Sequence, residues 1–167
     1  MSADLKLRQS GMMRWVSLAL CILLCLAISA LGALATQTGP GSWYESIEKA
    51  AWNPPSWVFG PVWTVLYITI GIALWIIWQS PASERRRQVL SLFFLQLALN
   101  LAWSWIFFGL EQPLLALLDL AALIAVVVVL VRVAWWETPF ASLIMLPYLV
   151  WCSFAFTLNA AVVVLNP

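Results

Sequence analysis

Five stretches of this chain are each long and apolar enough to cross a bilayer, and this constrains its fold more than any other feature. A spanning helix needs about 20 mostly apolar residues. Such runs occupy residues 15–35, 57–78, 89–110, 114–133 and 140–165. Breakers separate them: Gly39-Pro40-Gly41, Asn53-Pro54-Pro55, Ser80-Pro81, Gln112-Pro113 and Thr138-Pro139. Pro113 and Pro139 fall where proline is tolerated, at a helix start. Only 9% of the residues are charged and 64% are hydrophobic, against about 25% charged in a soluble domain. A water-soluble fold could not hide that much apolar surface. The sequence therefore predicts an all-α integral membrane protein, a single five-helix transmembrane bundle over residues 1–167.

Charge distribution tests the span count independently, because cytoplasmic loops carry an excess of Lys and Arg. Five spans put Lys6, Arg8, Arg14, Arg85, Arg86, Arg87 and Arg132 on one side and only Lys49 on the other. A cytoplasmic N-terminus is expected, and a helical architecture favours the bacterial inner membrane over an outer-membrane barrel. The first run resembles a signal peptide in its basic start and its Ala33-Leu34-Ala35. Its apolar stretch exceeds the ~7–15 residues of a signal core, so a retained span is expected. The Arg85–Arg87 run reads as a topology anchor, with a lipid-headgroup or nucleic-acid patch as the weaker alternative. A net charge of +1 is too small for a nucleic-acid footprint, so membrane lipid is the expected surrounding partner and nucleic acid is not.

The chain has no histidine, which removes the commonest metal and haem ligand and excludes Ser–His and Cys–His nucleophilic catalysis. Its three cysteines, Cys21, Cys25 and Cys152, form no CxxC motif, so neither a disulfide framework nor a metal site is indicated. Cys21 and Cys25 lie one helical turn apart and read as small buried hydrophobes. No conventional acid–base or nucleophile set is present, so an enzyme is not the leading expectation and no obligatory cofactor is expected.

Twelve tryptophans serve two purposes. Trp15, Trp75, Trp78, Trp135 and Trp136 fall at span ends, where indoles form interfacial belts. Others lie on stripes inside spans. Phe59, Trp63 and Tyr67 recur every four residues in the second. Gln96, Asn100 and Ser104 share a face of the third, flanked by Trp103 and Phe107. Tyr148, Trp151, Ala155 and Leu158 or Asn159 line one stripe of the fifth, after Pro147, a potential kink site. Aromatic stripes with a few polar groups suit a small-molecule pocket. Plain core packing accounts for such stripes too, and Gln96 and Asn100 also serve as interhelical hydrogen-bonding groups. Asp119, the one acid well inside a span, is weak evidence for a proton relay. Ser29 with Ala33, and Ala98 with Ala102, are small-xxx-small pairs that suit internal packing or a homodimer. Residues 36–56 form the longest loop, with Trp43, Tyr44 and Trp52 among Glu45, Glu48 and Lys49. A connection of this length is usually functional, and it reads equally as a lid or as an interfacial segment with aromatic anchors.

Several of these segments are recognisable. Trp43-Tyr44, followed by Trp52-Asn53-Pro54-Pro55-Ser56-Trp57-Val58-Phe59-Gly60-Pro61-Val62-Trp63 and on to Tyr67, resembles the tryptophan-rich sensory protein family. That family includes the mitochondrial translocator protein, or peripheral benzodiazepine receptor. Gln96 to Trp103 with Phe107-Phe108-Gly109 looks like its third helix, and Leu146 to Trp151 continuing to Asn159 looks like its fifth. The resemblance implies a pocket closed by the first loop, with Trp43, Tyr44, Trp52 and Pro54 in the lid. It implies binding of flat hydrophobic ligands: porphyrins such as protoporphyrin IX, other haem-pathway intermediates and isoquinoline-type drugs. A receptor role in stress sensing or regulation of tetrapyrrole metabolism follows; light-dependent porphyrin degradation and a carrier function are the alternatives. Carried onto this chain, the ligand-binding positions are Phe59, Gly60, Val62, Trp63, Asn100, Trp103, Trp151, Ala155 and Leu158. Asn100 and the indoles of Trp63 and Trp151 are expected to orient the guest's polar edges, and Trp63 and Trp151 would matter for any photochemistry. The family's tyrosine, tryptophan and arginine in the last helix are replaced by Ala160, Val163 and Val164, and no basic residue follows Tyr148. The sterol-recognition pattern is therefore missing.

Overall fold

The computed structural model describes residues 3–167, with side chains from residue 11 onward. Lys6 and Arg8, counted above for topology, have side chains outside the described residues. Six α-helices follow in order: α1 (Ala3–Ala35), α2 (Trp43–Ser46), α3 (Phe59–Gln79), α4 (Glu84–Ser104), α5 (Pro113–Ala134) and α6 (Pro139–Leu165). Five segments are long and apolar enough to span a membrane: Gly11–Ala35, Ser56–Gln79, Glu84–Gly109, Pro113–Ala134 and Pro139–Leu165. The integral membrane five-helix bundle expected from the sequence is what forms.

Local chemistry sets the helix ends. The Ser83 hydroxyl accepts from the Arg86 N–H at 2.9 Å and caps α4. The third span thus starts five residues before the apolar pattern does, with Arg85 and Arg87 exposed in its first turn. Pro113 and Pro139 occupy the first turns of α5 and α6, where a missing N–H costs nothing. Pro147 lies inside α6, which continues through it. Around the bundle the helices are neighbours in the order α1, α3, α6, α5, α4, with α4 returning to α1.

The core joins Cys25 of α1 to Ile70, Leu74 and Ile77 of α3 and Phe93 and Leu97 of α4. From the other side come Leu120, Leu123 and Val127 of α5 and Met145, Tyr148 and Cys152 of α6. Outward faces are apolar as well, with Leu20, Leu31, Leu118 and Val150 exposed, as suits a lipid solvent rather than water. α1 and α3 come close together at Gly71: a Cβ there would lie 2.6 Å from the Ile22 Cα. Glycine is needed so that α1 and α3 can touch backbone to backbone. Trp15, Trp78, Trp135 and Trp136 are exposed at span ends. Trp75 departs from the belt reading: it is half-buried, and its indole N–H donates to the Ser17 hydroxyl of α1 at 3.1 Å.

Candidate ligand pocket

Toward the 36–56 loop the bundle stops being filled. A cavity of about 430 Å³ opens there between α1, α3, α4 and α6, within the ~300–1,000 Å³ range of small-molecule sites. From α3 come Phe59, Gly60, Trp63, Thr64 and Tyr67, and from α6 come Trp151, Ala155, Leu158, Asn159 and Val162. Asn100, Trp103 and Ser104 of α4 face them, and α1 closes the remaining side with Ser29, Gly32 and Ala33, followed by Thr36 just past its end. No charged side chain lines it.

Aromatic edges fix the walls. Trp63 and Trp151 meet edge to face, with centroids 6.3 Å apart and planes at 90°, and Phe59 lies 6.0 Å from Trp151. Opposite them Trp103 stacks on Phe107 at 5.2 Å and 19°, and Phe107 meets Phe108 at 4.9 Å. Beyond α4 the chain makes a π-helical turn, Trp105–Gly109, in which the Leu110 N–H donates to the Trp105 carbonyl at 2.8 Å. The wider turn, a feature common at functional sites, lets the consecutive Phe107 and Phe108 both reach the cavity.

A relay of hydrogen bonds forms the floor. The Tyr67 hydroxyl donates to Asn100 Oδ1 at 2.6 Å. Asn100 Nδ2 donates to the Tyr148 hydroxyl at 2.7 Å, and that hydroxyl donates to Gln96 Oε1 at 2.9 Å. All four residues are buried, so the relay ties α3, α4 and α6 together where unpaired polar groups would be costly. Near the loop end, the Trp103 indole N–H donates to Asn159 Oδ1 at 3.1 Å, and Asn159 Nδ2 donates to the Pro113 carbonyl at 2.9 Å.

The loop covers the cavity and is held from several directions. Tyr44 is buried against Phe107 and Phe108, and its hydroxyl donates to Asn53 Oδ1 at 3.3 Å. Burial pushes the Tyr44 phenol up from its ordinary pKa, and the bond to Asn53 pulls the other way. The Lys49 ammonium sits 4.8 Å from the Tyr44 ring centre and donates to the Ile47 carbonyl at 2.9 Å. From the end of the chain, the Asn166 amide grips the loop backbone at Glu48. Its Oδ1 accepts from the Glu48 N–H at 2.9 Å, and its Nδ2 donates to the Glu48 carbonyl at 3.0 Å.

Of the ligand-binding residues expected from sequence, Phe59, Gly60, Trp63, Asn100, Trp103, Trp151, Ala155 and Leu158 line this one cavity. Val62 does not: it packs against the core on another face of α3. Among the lid residues Tyr44 lines the cavity, whereas Trp43 is outside the lining and meets Phe107 edge to face at 5.5 Å. Trp52 is 59% exposed, and Pro54 is likewise absent from the lining; Asn53 takes their place. Of the expected orienting groups, Asn100 already bonds Tyr67 and Tyr148 through its oxygen and one of its two amide N–H groups, and Trp151 Nε1 is buried without a partner. Sequence reasoning missed the α1 wall altogether, because small residues carry no aromatic or polar-stripe signal. Asp119 lies on α5, outside the cavity lining. Among the described residues, no cluster of three or more Cys, Asp or Glu side chains could hold a metal.

Comparison with known proteins bears on this arrangement directly. The sequence profile of the TspO/MBR family matches residues 21–165. The chain belongs to the TspO/MBR family. Its relatives there include the tryptophan-rich protein TspO of Archaeoglobus fulgidus, 45% identical over 146 residues, which cover 87% of this chain and 94% of the relative. The TspO protein of Chlorobaculum tepidum is 44% identical over 155 residues, covering 91% and 97%. The human translocator protein is 41% identical over 123 residues, covering 72% of each chain. The TspO/MBR match includes every residue that lines the cavity.

Proposed function

We propose that this TspO/MBR-family protein is a membrane receptor for flat hydrophobic guests, porphyrins such as protoporphyrin IX first among them. In this role it senses or regulates tetrapyrrole metabolism. One observation carries the reading: a 430 Å³ cavity walled by Phe59, Trp63, Trp103, Phe107 and Trp151 and free of charged side chains. Planar rings gain most from such walls, through offset and edge-to-face contacts worth about 0.5–1.5 kcal/mol each beyond burial. Without histidine, a metal-free porphyrin is an easier guest than haem. The 36–56 loop acts as the lid, through Tyr44 and Asn53. The N-terminus faces the cytoplasm of a bacterial inner membrane, a topology supported by Arg14, Arg85–Arg87 and Arg132 at one end of the bundle. A second reading, light- and oxygen-dependent breakdown of the bound porphyrin, is favoured by the contact of two oxidisable indoles, Trp63 and Trp151.

Quenching of intrinsic emission by protoporphyrin IX in detergent tests the receptor reading. Ala155→Leu, which fills the cavity, and Trp151→Phe, which shrinks its wall, should each weaken binding at least tenfold. Wild-type affinity in both variants would overturn the site.

A further inference from the structure

Most serine and threonine hydroxyls within the spans are already spent. Thr36, Thr64, Ser91 and Ser153 donate to the carbonyl four residues back, and Thr69 and Thr157 to the one three residues back. This is the usual solution in an apolar medium, where a free hydroxyl has no water to bond. Ser29 of α1 and Ser104 of α4 break the pattern. Neither hydroxyl has a hydrogen-bond partner among the described residues, and both residues line the cavity. They also face one another's helix. A Cβ added to Gly32 would lie 3.2 Å from Ser104 Oγ, and Ser29, three residues before Gly32, shares its face of α1.

We infer that Ser29 and Ser104 are the polar recognition pair of the cavity, donating to a neutral oxygen or nitrogen acceptor on the guest. This rests on the receptor reading above. Of the other polar side chains deep in the cavity, Tyr67 gives its proton to Asn100, and Asn100 and Asn159 already spend their oxygen and one amide N–H inside the protein, so on the α1–α4 seam the two serine hydroxyls are the groups left without a partner. The acceptor must be neutral for two reasons. No charged side chain lines the cavity, and Ser29 stands about 9 Å inside the end of α1, at ~1.5 Å per residue, where an unpaired carboxylate would be costly. An ester, amide, ketone or protonated carboxyl meets the requirement. The pair therefore selects, among guests of similar shape, those with an acceptor on the edge directed at the α1–α4 seam.

The test compares two neutral porphyrins of similar ring size, protoporphyrin IX dimethyl ester, which has ester carbonyls, and octaethylporphyrin, which has only alkyl edges. Affinities are measured by fluorescence quenching for the wild type and for Ser29→Ala/Ser104→Ala. Losing two neutral hydrogen bonds should weaken the ester about tenfold and leave octaethylporphyrin within about twofold. If the double variant leaves the ester unchanged, or weakens both guests equally, the recognition pair is overturned and the receptor reading stands. If the wild type binds neither porphyrin, both readings fall.

Discussion

Tyr148→Phe deletes one oxygen atom from the middle of the bundle, and its cost can be worked from the floor relay. Tyr148 is fully buried, and its hydroxyl both accepts from Asn100 and donates to Gln96. Phenylalanine keeps the ring and its edge contact with Trp63 at 6.4 Å, so little packing is lost. Two bonds between α6 and α4 disappear, each worth about 0.6 kcal/mol on average and about 1.7 at most inside a membrane protein. The sum is about 1–3 kcal/mol. Gln96→Leu should cost less, about 0–1 kcal/mol. It breaks one bond, but it also removes Gln96 Nε2, which is buried with no partner in the wild type. Because the Tyr148–Gln96 bond can be lost only once, the double variant should cost less than the two single costs added. Unfolding in mixed micelles, followed by tryptophan emission and far-ultraviolet circular dichroism, gives all three values. If Tyr148→Phe is as stable as wild type, or the pair is strictly additive, the relay does not hold the helices together.

Other contacts yield sharper contrasts. Gly71→Ala should destabilise the bundle by about 1–2 kcal/mol, because overpacking against the Ile22 backbone outweighs the helix-propensity gain. Gly60→Ala, whose Cβ meets nothing within 4 Å, should stay within about 0.5 kcal/mol in the same assay. Asn166→Ala removes the two-point grip on Glu48 and should speed proteolytic cleavage within residues 36–56 several-fold while leaving the spans resistant. Loop docking should also loosen in alkali. The Tyr44 phenol has a raised folded pKa, so its contribution is complete below the unfolded value near 10 and fades as pH climbs through the folded one. Raising the pH from about 9 to about 11 should accelerate loop cleavage in the wild type and much less in Tyr44→Phe.

The fold was legible because length and hydropathy alone decide a helical membrane bundle, and proline and charge punctuation fixed most boundaries to within a few residues. The larger shifts, at the starts of α1 and α4, arose where a helix runs on through polar residues that carry no hydropathy signal, in α4 behind a serine cap. The aromatic half of the pocket was legible too: four-residue spacing put Phe59 and Trp63 on one face, and the structure keeps them there. Val62 was misplaced because a neighbour in sequence points about 100° away on a helix. Thr38 and Asn53, which also line the cavity, and the α1 wall were not legible, since nothing in Ser29, Gly32 or Ala33 distinguishes lining a cavity from packing a seam. Nor could sequence show that Asn100 already bonds two partners. That depends on two tyrosines from different helices arriving at one amide.

An unfilled cavity in a membrane bundle forfeits dispersion contacts, so something must hold the walls apart. The distribution of constraints in this chain supplies the reason. Away from the loop, glycine-mediated contact between α1 and α3 and a dense aliphatic core leave no slack. At mid-height the Tyr67–Asn100–Tyr148–Gln96 relay locks three helices at hydrogen-bond distances, so they cannot slide inward to close the space above. At the loop end, Trp103–Asn159–Pro113 fixes α4, α6 and the start of α5 at their tips. The walls are therefore pinned above and below the void by polar contacts, which are directional, whereas aliphatic contacts could repack. If this is right, Tyr148→Phe should not only lose stability. It should also shrink the cavity and weaken protoporphyrin IX binding, although Tyr148 does not line it. A destabilised Tyr148→Phe variant with unchanged porphyrin affinity would show that the cavity keeps its shape without the relay.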